Sequence, residues 1–104
     1  MAWVLLFFAG ILEVVWAFSM KQSDGFTKLT PSVITIITMV ASFVLLSISM
    51  KTLPLGTAYV IWTGIGAVGT FLLGLFILGE PISTLRIIAA SLILIGLLMM
   101  KLAS

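Results

Sequence analysis

The sequence predicts an all-α integral membrane protein of four transmembrane helices, and three observations predict it. Of its 104 residues, 62% are hydrophobic and 8% charged, where a soluble domain carries roughly 25% charged residues. The mean hydropathy is +1.42. The apolar residues also fall in four long runs, each close to the ~20 residues that carry a helix through hydrocarbon. One domain over 1–104 is expected, with helices at about 2–20, 32–50, 57–78 and 85–102.

The first run, Ala2–Met20, holds one charge, Glu13, among nineteen residues. It lacks a basic leading segment and is followed by three more runs, so it reads as a span and not as a cleaved leader. Lys21 to Lys28 form a polar turn with Asp24-Gly25 as breaker. Thr30-Pro31 then restarts a helix, with Thr30 as N-cap and Pro31 at a position where its missing N–H does no harm. In the second run Thr35, Thr38, Ser42 and Ser49 are spaced by three, four and seven, which puts the hydroxyls on one face. A membrane Ser or Thr commonly bonds its own i−4 carbonyl. Ser42 is set apart because it lies near mid-membrane, as Glu13 does.

Lys51 to Gly56 form the second loop, with Thr57 as the expected cap of the third helix. There Tyr59, Trp62, Gly66 and Gly69 share a face, and Gly66, Thr70 and Gly74 make a ladder of small residues. Gly64-x-Gly66-x-x-Gly69 matches a dinucleotide-binding pattern formally, but no strand precedes it, so that reading is rejected. The glycines, Gly64 and Gly66 foremost, either let the helix bend or only let another helix come close. Gly79-Glu80-Pro81 ends the third helix, and Ser83 or Thr84 caps the fourth. The uncharged centre of that fourth run, Ile87–Met100, is fourteen residues. Arg86 and Lys101 must therefore snorkel to the two headgroup layers. Ala89 and Gly96 lie one heptad apart and make a smooth seam for self-association.

The composition excludes several classes of function. There is no Cys and no His, hence no thiol chemistry, disulfide or imidazole ligand. No metal, cofactor or enzymatic activity is expected, and a net charge of +2 spread over loop ends gives no reason to invoke nucleic acid. With no phosphate-binding loop, uphill transport would have to run on an ion gradient. Lys51 and Lys101 fall on the side of the N-terminus, and Lys21, Lys28 and Arg86 on the other. Two against three is too small a bias to fix an orientation. A chain with no internal repeat could instead gain transporter-like symmetry by pairing with an inverted copy of itself.

Glu13 is the candidate site. A charge at the centre of a span costs roughly 2.5–3.5 kcal/mol on insertion scales, and such residues usually face an interior where they bind or move something. Withdrawal from water disfavours the charged form of a carboxyl group, so a carboxyl so placed can hold a proton near neutral pH and release it to an arriving cation. Gly10 at i−3 and Trp16 at i+3 share its face. Indole and phenol rings attract cations, which brings in Trp62 and Tyr59, while Trp3 suits the aromatic belt at the membrane boundary. The competing reading is a protonated Glu13 that only holds helices together.

Four short spans, the single Glu13 of the first span, the segment Ala58-Tyr59-Val60-Ile61-Trp62-Thr63-Gly64-Ile65-Gly66 and the Gly79-Glu80-Pro81 turn resemble the small multidrug resistance family over the full length. Gly10-x-x-Glu13-Val14-x-Trp16 looks like its guanidinium exporter branch, since the branch that pumps bulky quaternary ammonium compounds has a small residue where Trp16 stands. The resemblance implies an antiparallel, dual-topology homodimer in a prokaryotic cell membrane that exchanges guanidinium or small guanidinyl cations for protons. It further implies one site shared by Glu13 of both copies, supported by Trp16, Ser42, Tyr59 and Trp62. The expected partners are thus the cation, protons, membrane lipid and a second copy. Three other readings stay open: a polyspecific exporter of lipophilic cations, an obligate heterodimeric partner, and a non-transporting assembly or regulatory subunit.

Overall fold

The computed structural model describes residues 1–103. Its four helices are α1 (Ala2–Gln22), α2 (Leu29–Ser49), α3 (Leu55–Phe76) and α4 (Thr84–Leu102), and there is no strand among the described residues. All four are long and apolar enough to cross a membrane. The chain is therefore a multi-pass membrane protein, and its helices satisfy their own backbone groups where no water is available. α4, at 19 residues, gives about 28 Å of rise at 1.5 Å per residue.

Two helix starts differ from the sequence reading. α2 is capped by Lys28, whose backbone is extended, and no side chain caps it. Thr30 and Pro31 consequently lie inside the first turn, where the N–H groups have no helical partner anyway. α3 follows Pro54, again with no side-chain cap, so Thr57 sits within the first turn and not before it. At α4 the expected cap is present, because Ser83 Oγ accepts a hydrogen bond from the Arg86 backbone N–H at 3.2 Å. The turn after α3 uses Gly79 at φ +67, and the Glu80 N–H reaches back to the Gly74 carbonyl at 3.0 Å.

The α1–α2 turn is tighter than its Asp-Gly pair suggests. Asp24, Gly25 and Phe26 have φ of 50, 73 and 67, three left-handed residues in succession, which a bulky residue such as Phe rarely adopts. Fully buried Ser23 anchors the turn: its Oγ donates to the Met20 carbonyl at 2.7 Å and accepts from the Phe26 N–H at 3.1 Å.

The helices form a layer, with extents of 40 × 35 × 16 Å, little more than the ~10–12 Å diameter of one helix in its thin direction. α1 packs between α2 and α3, α2 meets α3 only narrowly, and α4 packs on α3, touching α1 at its end where Lys101 stands over Trp3. The core is correspondingly slight, comprising Leu6, Ala9, Leu46, Ala58, Ile61, Trp62 and Leu97. Leu97 is the sole buried residue of α4, and it seats on Gly64, where a β-carbon would overlap its Cδ2.

Candidate functional site

The α1–α3 contact is built from side chains seated on bare backbone. Ile65 of α3 lies over Gly10, its Cγ2 at 2.5 Å from where a β-carbon would stand, and Val14 of α1 lies over Gly69 in the same way. Between these two, Glu13 lies over Gly66, where a β-carbon would overlap its Oε1 and Cδ. Gly64, Gly66 and Gly69 thus each receive a side chain from a neighbouring helix, so close packing is a sufficient reason for all three. Glu13 Oε1 is buried and has no hydrogen-bond partner among the described residues, and the same holds for Trp16 Nε1 one turn along α1. A buried acceptor and a buried donor are both left open on one helical face, each at a cost of roughly 1–3 kcal/mol.

A second cluster starts from the hydroxyl face of α2. Thr35, Thr38 and Ser49 bond carbonyls four residues back, at 2.8, 2.7 and 2.9 Å. Ser42 differs. Fully buried, it donates to the Ala9 carbonyl of α1 at 2.7 Å and accepts from Trp62 Nε1 at 3.0 Å, tying α1, α2 and α3 together. The Trp62 ring, 6% exposed, lies 5.6 Å from Tyr59 and 5.6 Å from Phe43, and Phe43 meets Trp16 edge-on at 6.4 Å.

Phe43 was not singled out by the sequence reading, although it joins the two tryptophans. Its only signal was adjacency to Ser42. The Ala9 carbonyl, as a backbone atom, left no signal. Of the expected residues, Gly10, Glu13, Trp16, Ser42 and Trp62 are gathered about α1. Tyr59 stands at the rim, 52% exposed. Within one chain the Ser42–Trp62 network reaches α1 at Ala9, one turn short of Glu13. Ala89 and Gly96 lie on the open side of α4, both exposed, with none of the described residues within 4 Å of a β-carbon on Gly96.

Four spans and a half-enclosed carboxyl define a small polytopic membrane protein organised around one intramembrane acid. The chain belongs to the small multidrug resistance protein family, whose sequence profile matches residues 1–100, as the resemblance in its motifs implied. Its relatives include proteins named guanidinium exporter. One from Yersinia pseudotuberculosis is 57% identical over 104 residues, covering 100% of both chains. Another from Proteus vulgaris is 52% identical with the same coverage. A third, from Salmonella typhimurium strain LT2, is 54% identical over 100% of this chain and 99% of its own.

Proposed function

We propose that this protein exports guanidinium in exchange for protons, as an antiparallel pair of copies sharing one site built on Glu13 from each. The observation that carries the reading is the open carboxyl oxygen of Glu13 and, one helical turn along α1, the open Trp16 indole N–H. A planar guanidinium offers paired N–H donors that match a carboxylate, and it stacks on aromatic faces. Trp16, Phe43, Trp62 and Tyr59 provide those faces, and Ser42 holds Trp62 in orientation. The relatives named guanidinium exporter support the choice of cation.

Coupling follows from competition. A proton and the cation both bind Glu13, so each arrival displaces the other, and a proton gradient drives the cation out. Pairing through the Ala89–Gly96 seam supplies the wall that a single layer of helices lacks, and two Glu13 side chains brought together titrate as a coupled pair. Bending of α3 about Gly64 and Gly66 moves the cavity mouth from one membrane face to the other. Weak charge bias in the loops suits insertion in both orientations. Trp16, edge-on to Phe43, narrows the pocket and favours a small planar ion over bulky lipophilic cations.

The test is flux in proteoliposomes of this chain alone. Guanidinium should accumulate against its gradient when a pH gradient is imposed, and proton movement should follow guanidinium added from either side. A chain that moves no guanidinium by itself fails this reading and leaves a heterodimeric or non-transporting role.

A further inference from the structure

Several apolar hollows flank the α3–α4 contact, one of them reaching Arg86 beside Phe71 at the far face, and two at the face where α1 begins differ at their ends. The larger, about 500 Å³, runs past Tyr59, Ala67 and Gly96 and has no charged residue in its lining. The smaller, about 270 Å³, lies between α1 and α4, walled by Phe7, Ile65, Leu94 and Leu98, and ends at Trp3 and Lys101. There the Lys101 ammonium stands 4.9 Å from the centre of the Trp3 ring. The crevice therefore has a hydrocarbon length, an indole at the membrane boundary and a cation at its mouth.

Basic side chains occur at both membrane faces, Lys21, Lys28 and Arg86 at the far one, but acidic side chains among the described residues lie only at that far face outside the spans. Lys51 and Lys101 share the membrane face on which α1 begins, whereas Asp24 and Glu80 follow α1 and α3 and so lie at the opposite face. An acyl chain of any lipid can fill a carbon-walled slot, but a lysine at its mouth selects an anionic headgroup. Ala89 and Gly96 also point away from the slot: at 100° per residue Gly96 is turned about 200° from both Leu94 and Leu98. A second copy seated on that seam leaves the Leu94–Leu98 side to lipid, and this step rests on the proposed dimer.

We propose that the α1–α4 crevice binds one anionic phospholipid, with an acyl chain along Phe7, Ile65 and Leu94 and the phosphate at Lys101 beside Trp3. The test is native mass spectrometry of the full chain released from detergent, with phosphatidylglycerol or phosphatidylcholine of identical acyl chains added. The chain should retain phosphatidylglycerol about fivefold over phosphatidylcholine, the gain expected of one lysine at an anionic surface. Lys101→Gln should abolish the preference, Lys101→Arg should keep it, and Lys51→Gln, on the same face outside the crevice, should leave it intact. Leu98→Trp should fill the slot and reduce retention of both lipids. A preference that survives Lys101→Gln, or falls equally in Lys51→Gln, overturns the proposal. Loss of the dimer in Leu98→Trp with lipid retention unchanged also overturns it, by giving the crevice to a second copy while guanidinium flux by the unaltered chain still stands.

Discussion

The carboxyl of Glu13 occupies the space that a β-carbon on residue 66 would need. Its Oε1 and Cδ would be overlapped by that atom and its Cγ would stand 2.8 Å away. Gly66 is thus the seat of the acid. Gly66→Ala should displace the carboxyl and weaken guanidinium binding by on the order of tenfold to a hundredfold, as small misplacements of a reacting group do. Gly69→Ala meets only a Val14 methyl and should stay within a few-fold of the unaltered chain. Calorimetric titration of both variants checks the contrast, and equal losses would refute the special role of Gly66.

Glu13→Gln keeps the side chain's shape and its place on Gly66 while removing the ionisable group. Flux driven by a pH gradient should vanish, and cross-linking should still yield the dimer. Normal pH-driven uptake by this variant would falsify coupling through Glu13.

The bond from Trp62 to Ser42 joins α3 to α2, which otherwise touch little. Ser42→Ala leaves a buried indole N–H unpaired, and Trp62→Phe removes the donor. In a double-mutant cycle followed by unfolding in detergent, the pair should couple by about 0.6 kcal/mol or more, up to about 1.7, the average and the maximum for hydrogen bonds between membrane helices. Strictly additive losses would mean that the bond contributes nothing in the membrane.

Trp16 is the wall nearest to Glu13 along α1, and its edge contact with Phe43 closes one side of the cluster. Trp16→Gly should open that side and shift competition from guanidinium toward larger aromatic cations. Unchanged selectivity would remove Trp16 as the discriminator.

Much of this site was legible in the sequence because membrane helices leave few polar letters to weigh. Glu13 and the hydroxyl face of α2 are visible by helical spacing alone, and Ser42 was set apart by depth. Spacing did not reveal partnership. Nothing in the sequence says that Ser42 bonds the Ala9 carbonyl while Thr35 bonds its own helix, since that depends on how closely α1 and α2 approach. Phe43 was hidden for the opposite reason, as one apolar residue among many in a lipid-facing run. The helices start at Leu29 and Leu55, three and two residues before the expected 32 and 57; Thr30 and Thr57 are good caps in sequence yet lie inside the first turn. Pro31 and the backbone at Pro54 permitted an earlier start.

The thinness of the helical layer changes what a substitution can report. In a body 16 Å deep nearly every residue borders a neighbour outside the chain, so the soluble-protein distinction between core and surface loses its meaning. Tolerance at a position instead records who that neighbour is. Fluid hydrocarbon accepts an apolar side chain of any size, whereas a packed helix accepts only a small one. On α4 the two cases lie side by side: Ala89 and Gly96 should reject bulk that Ile88 and Ile95, exposed and turned off that seam, accept, and a scan along this one helix would draw the outline of its surroundings.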